Sequence, residues 1–215
     1  MKRAYSFDDV LLRPKYSDLM SRSEVDLSSK LGSDITLSLP VISSPMDTVT
    51  ETDMAVSMSK AKALGIIHRY NSADEQASLV RSAQQQGAKN IGAAIGMSGD
   101  YLERAKAVCE AGANVLCVDV AHGHHLMMQR ALSSLKDALG EAVHIIAGNV
   151  ATLEALEDLA KWGADSVRVG IGGGSICSTR LVTGHGVPTL QSVMEVSQTT
   201  SDVKIIADGG IKTTG

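Results

Sequence analysis

The chain has 215 residues, 20 Lys and Arg against 24 Asp and Glu, a formal charge of −4 and 44% hydrophobic residues. That apolar fraction supports a sizeable core and excludes a disordered chain. Mild acidity without a Lys/Arg block, together with 3% aromatics, argues against nucleic acid or an anionic membrane as partner.

Along the chain, a loop-rich stretch of 38 residues precedes the first strand and is expected to close the bottom of the fold. Short β-branched runs then alternate with helical patterns. Strands are expected at Leu39–Ser44, Leu64–His68, Ile91–Ile95, Val115–Asp119, Val143–Gly148, Ser166–Gly170 and Val203–Asp208. Helices are expected at Glu51–Lys62, Ser72–Gln86, Tyr101–Ala111, His125–Leu139, Thr152–Trp162 and Pro188–Gln198. The strands are continuous apolar runs, as parallel strands covered on both faces should be. Ala111–Asn114 (AGAN) and Trp162–Asp165 (WGAD) repeat one helix-to-strand turn, with Gly as its left-handed residue.

The alternation fits either a doubly wound sheet or a βα-barrel; the repeated turn favours the barrel, so the expectation is an α/β fold, a (β/α)8 TIM barrel truncated after strand seven, forming one domain over residues 1–215. An eighth βα unit is expected to be missing, leaving the first and seventh strands with open edges. The N-terminus has no apolar leader and charges interrupt every long apolar stretch, so a cytoplasmic chain is expected. Cys109, Cys117 and Cys177 form no CxxC pair, so neither a disulfide framework nor a zinc ribbon is written here.

In such barrels, chemistry gathers at the C-terminal ends of the strands. Ser44 to Asp47, Asp119, Asn149, the glycine-rich segment around Cys177, and Asp208-Gly209-Gly210 all fall there. The segment from Val169 to Arg180 (VGIGGGSICSTR) has backbone free to bind an anion through amides or a monovalent cation through carbonyls. Cys109 and Cys117, on a helix and inside a strand, read as small buried hydrophobes. For Cys177 that reading competes with a nucleophile, because Thr179 and Arg180 stand close by in a polar loop. His122, His124 and His125 invite a metal reading but lack a matching carboxylate or cysteine set, and read as a loop-to-helix turn. Asp208 before two glycines fits either a plain turn or a carboxylate for a ribose diol with a phosphate on nearby amides. Asp119 ends an apolar strand, which is costly unless the acid is paired or used.

Seven stretches then carry a resemblance: Phe7–Leu12, Ser21–Asp26, Pro45–Glu51, Asp119–His124, Ala147–Val150, Gly172–Arg180 and Ala207–Ile211. Together they resemble the IMP dehydrogenase / GMP reductase barrels over essentially the whole chain. The resemblance implies Cys177 as nucleophile toward purine C2, with Thr179 as its catalytic partner. It implies that Ser44 and Met46 line purine and ribose, that Ser175, Gly209 and Gly210 hold phosphate, and that Asp208 takes the ribose hydroxyls. Asn149 would lie at the reacting base. Asp119, Ala121, His122 and Gly123 would lie along a nicotinamide cofactor, NADPH or NAD, and the carbonyls of Gly172, Gly174 and Cys177 would hold potassium. A purine nucleoside monophosphate (GMP or IMP) and a homotetramer follow from the same resemblance.

Within the family, the short connection Gln86–Asn90 leaves no room for the regulatory insert usual in the dehydrogenases, and Thr183-Gly184 also looks reductase-like. Both favour GMP reductase over IMP dehydrogenase. The groups that separate the two, a glutamate or a flap with an Arg-Tyr pair, are expected beyond Gly215. Gly173, His185 and Thr189 depart from the family pattern. An inactive nucleotide-binding barrel fragment is the alternative from another class.

Overall fold

A computed structural model describes residues 3–32 and 34–213. Residues up to Ser28 are mostly exposed and contain two single 3-10 turns, Phe7–Asp9 and Arg22–Glu24. An antiparallel hairpin follows, β1 (Ser29–Lys30) with β2 (Thr36–Leu37). Seven parallel strands then pair in chain order: β3 (Ile42–Ser43), β4 (Leu64–Ile67), β5 (Ile91–Ile95), β6 (Val115–Asp119), β7 (His144–Val150), β8 (Ser166–Val169) and β9 (Lys204–Ala207). Between them run α1 (Thr52–Lys60), α2 (Ala73–Gln85), α3 (Tyr101–Glu110), α4 (Leu126–Leu139), α5 (Leu153–Lys161), the short α6 (Thr179–Thr183) and α7 (Thr189–Val196). This is a TIM-barrel-like α/β fold with seven strands.

Local sequence explains the helices. Ser72 accepts the Glu75 amide at 3.2 Å while Glu75 accepts the Ser72 amide at 2.9 Å, a capping box that starts α2. Thr152 caps α5 through the Ala155 amide at 3.3 Å, and that helix turns Ala155, Leu156 and Leu159 inward. After α3 and α5 the chain reverses at Gly112 and Gly163, whose φ angles of 115° and 106° suit glycine, as the repeated turn predicted.

Strand alternation sorts the core into two layers. Leu116 and Val118 of β6 face the helices, in one cluster with Leu132, Leu135 and Leu156. Val115 and Cys117 face the barrel interior with Leu64, Ile66, Ala94 and Ile146. The hairpin contributes Leu31, Ile35 and Leu37 to that interior layer. Ser166 Oγ, at the start of β8, donates to the Leu31 carbonyl at 3.1 Å and lies 2.8 Å from His144 Nε2, at the start of β7. Among the described residues of the N-terminal stretch, this hairpin alone enters the interior layer; residues 3–28 are mostly exposed, contrary to the expectation for the whole stretch.

Three boundaries differ from expectation. The first strand shrinks to Ile42–Ser43, because Pro40 has no amide to give and β3 pairs on one side only, with β4. The fifth core strand runs on through Asn149 to Val150, with a register shift against β8 between Gly148 and Val150. The polar loop expected around Cys177, Thr179 and Arg180 runs into a short helix, α6. Among the described residues, β3 and β9 each have one unpaired side, and a cavity of about 580 Å³ lies between them, lined by Ile42, Ser43, Ile206 and Asp208. Thr214 and Gly215 lie outside the described residues.

Candidate active site

Four strand ends converge through one guanidinium. Arg168 of β8, its side chain 10% exposed, donates from Nη1 to Asp119 Oδ1 at 2.6 Å and from Nη2 to Asp208 Oδ2 at 3.0 Å. Asn149 donates from Nδ2 to Asp208 Oδ2 at 2.6 Å and to the Gly170 carbonyl at 2.8 Å, while its Oδ1 is buried without a partner. Arg69 donates from Nη2 to the Asp119 carbonyl at 3.2 Å. Burial opposes the Arg168 charge, but Cys117, Asp208 and Asp119 outweigh it and raise its pKa. Burial also pushes the Cys117 thiol up to about 11, so near neutral pH the two carboxylates are the charges that act. Sequence reasoning found both carboxylates and missed the cation between them.

Glycine geometry brings the Cys177 segment to this network. At Gly170 φ is 152°, and a Cβ there would overlap the Asp208 carbonyl. A Cβ on Gly209 would lie 2.9 Å from the Gly174 amide nitrogen, so the 172–174 backbone stacks on the 208–210 turn. Thr189, the first residue of α7, backs the same contact from beneath Gly173. The Val187 amide donates to the Ile171 carbonyl at 3.0 Å and closes the base of the segment.

At its tip the Cys177 amide donates to the Gly174 carbonyl at 3.3 Å, and Cys177 Sγ lies 3.3 Å from Thr179 Oγ1. The thiol is held below its ordinary pKa by the Thr179 hydroxyl first, then by the Thr179 amide, with smaller help from the Gly172 amide and the Arg180 charge; slight burial opposes. By contrast, burial pushes the Cys109 thiol up to about 11, as it does Cys117. Of the three cysteines, Cys177 alone has its thiol pKa lowered rather than raised.

The remaining expected residues distribute as follows. Ser44 and Met46 follow β3 and are half-buried; Thr50 Oγ1 donates to the Ser44 carbonyl at 2.7 Å and holds that turn. Ser175 is exposed, and a Cβ on Gly210 would lie 3.3 Å from the Gly173 carbonyl. Ala121 and His122 are exposed, whereas Gly123 is buried with its amide on the Asn149 carbonyl at 2.8 Å. The histidines diverge: His124 Nε2 lies 3.0 Å from Asp158 Oδ2, and His125 Nδ1 caps α4 through the Met127 amide at 3.1 Å. Of the three carbonyls expected to hold potassium, that of Gly174 accepts the Cys177 amide at 3.3 Å.

No helix among the described residues is long and apolar enough to cross a membrane. The family model described as IMP dehydrogenase / GMP reductase domain matches residues 4–215. The chain belongs to the IMP dehydrogenase / GMP reductase family. The inosine-5'-monophosphate dehydrogenase of Cryptosporidium parvum is 36% identical over 257 aligned residues, covering 99% of this chain and 63% of that protein. The GMP reductase of Buchnera aphidicola subsp. Acyrthosiphon pisum is also 36% identical, over 217 aligned residues, covering 97% of this chain and 62% of that protein. A cysteine-to-alanine variant of GMP reductase from Trypanosoma brucei superposes with a TM-score of 0.93 at 26% identity, over 99% of this chain and 77% of that one. This family member thus spans less than two thirds of the two relatives compared by sequence, and its identity to a dehydrogenase equals its identity to a reductase.

Proposed function

We propose that this family member reductively deaminates GMP to IMP and ammonia, with NADPH as hydride donor, through a covalent bond between Cys177 and purine C2. The observation that carries the reading is the Cys177–Thr179 pair, 3.3 Å apart, on a segment stacked against the Asp208–Gly210 turn.

Purine C2 is electron-poor, so the Cys177 thiolate adds there and a ring nitrogen takes up a proton. The exocyclic amine, once protonated, leaves as ammonia and restores the ring double bond, with carbon still bonded to sulfur. Thr179 is suited to pass a proton at this step, since its hydroxyl already faces the sulfur. The chemistry NADPH would supply when bound is a hydride to C2; Cys177 would then take back the electrons of the C–S bond as thiolate and release IMP. In this reading Asp208 accepts the ribose hydroxyls, Ser175, Gly209 and Gly210 hold phosphate, and Ser44 and Met46 flank the base. Asn149, with its unpartnered Oδ1, faces the reacting edge, and Asp119, Ala121, His122 and Gly123 lie along the dinucleotide. Potassium on the carbonyls of Gly172, Gly174 and Cys177 would brace the segment.

Two features support the reductive direction. The helix α2 ends at Gln85 and β5 begins at Ile91, with no inserted domain between them, and the alignment with the Buchnera reductase is nearly free of long gaps. A connection length is not a catalytic group, and the identity to the Cryptosporidium enzyme favours a second reading: oxidation of IMP to XMP with NAD. A third reading, from another class, is a nucleotide-binding barrel without turnover. Nicotinamide absorbance with GMP and NADPH, and separately with IMP and NAD, decides among them. Consumption of NADPH with release of ammonia is the expected result. Turnover only of IMP with NAD overturns the direction, and nucleotide binding without turnover of either pair favours the third reading.

A further inference from the structure

Within that reading, we infer that Arg168 is a positioning residue that holds Asp119, on the cofactor side, and Asp208, on the nucleotide side, as one rigid acceptor unit, so that a change at either carboxylate is felt by the ligand at the other.

The geometry is specific. The two carboxylates take different nitrogens of one planar fork, Nη1 for Asp119 and Nη2 for Asp208. Each uses one oxygen for this: Asp119 gives Oδ1, and Asp208 gives Oδ2 to both Arg168 and Asn149. Asp119 Oδ2 and Asp208 Oδ1 remain for ligand hydroxyls, and both side chains are partly exposed, at 21% and 29%, where the guanidinium is 10%. Among the described residues neither carboxylate has another ion-pair partner, so the two share one charge. A lysine is a point charge and cannot span two carboxylates as the fork does. Neutralising Asp119 shifts the guanidinium charge onto Asp208 and weakens Asp208 as an acceptor for ribose hydroxyls.

The test uses the whole chain with D119N and R168K, GMP affinity by calorimetry and NADPH affinity by fluorescence. Asp119 lies on the cofactor side in this reading, yet D119N is expected to weaken GMP binding about threefold or more with no cofactor present, the size of coupling seen between residues of one ion-pair network. R168K is expected to weaken both ligands. A purely structural role for Arg168 would lower the melting temperature and leave both affinities alone. If R168K does not fold, D119N, which keeps size and shape, decides by itself. GMP affinity of D119N within about twofold of wild type overturns the inference and leaves the functional reading standing, since networked residues should couple by more than that. Wild-type chain that binds neither GMP nor IMP overturns both.

Discussion

Cys177 Sγ and Thr179 Oγ1 stand 3.3 Å apart, two residues along the chain, and this pair makes Cys177 chemically unlike the other two cysteines. As a thiol, the sulfur donates to the hydroxyl; as a thiolate, it accepts from it. Iodoacetamide labelling read by peptide mass should therefore modify Cys177 at lower pH than a free thiol of pKa about 8.5. Cys109 and Cys117, both pushed up to about 11, should react slowly under the same conditions. Thr179→Val should move the Cys177 profile upward without changing the other two.

Gly170 and Gly87 offer a matched comparison. Both have positive φ, 152° and 87°, but a Cβ on Gly170 would overlap the Asp208 carbonyl, whereas one on Gly87 meets nothing within 4 Å. Gly87→Ala should cost about 1–2 kcal/mol from backbone strain alone. Gly170→Ala should cost more, because the Asp208 turn must also shift, and should weaken GMP binding. Urea unfolding with calorimetry checks both.

His144 links the barrel floor to pH. Ser166 donates to the Leu31 carbonyl and so accepts from His144 Nε2–H, while the imidazole packs against Gly32, where a Cβ would lie 2.7 Å from Nδ1. Burial lowers the pKa of His144; Asp165 opposes this and Lys136 reinforces it. The folded chain therefore binds this proton less readily than the unfolded one. The neutral ring's contribution is present above the unfolded value, about 6.5, and is lost as pH falls below it toward the depressed folded value. The urea midpoint should fall with acidification through that window, and His144→Gln should flatten the dependence.

Much of this was legible beforehand because parallel strands buried on both faces have so little chemical freedom. Ile91–Ile95 and Val115–Asp119 form the strands expected, since each is an apolar run that starts at a turn and ends at the polar rim, the second in Asp119 itself. A polar side chain ends an apolar run, so Asn149 reads as lying after its strand; the backbone continues to Val150, and the side-chain Nδ2 donates to Asp208 and Gly170. Arg168 left a readable signal that was not used. A lone cation inside Ser166–Val169 cannot stay buried without anions, and Asp119 and Asp208 were already assigned to the same rim. The short α6 was hidden because the glycines before it read as loop, and five residues carry too little periodicity to announce a helix. The stacking of Gly209 on Gly174 joins residues far apart in the chain and has no local signature.

Turnover through Cys177 requires a bond from its sulfur to the purine, and trapping that bond is the most direct test. Wild-type chain and Cys177→Ser should be mixed with GMP and NADPH, quenched in acid during turnover, digested and analysed by peptide mass. A purine nucleotide adduct is expected on the peptide carrying Cys177 in the wild type, and none in the variant. Turnover with no adduct at any quench time, or an adduct that persists in Cys177→Ser, would contradict it.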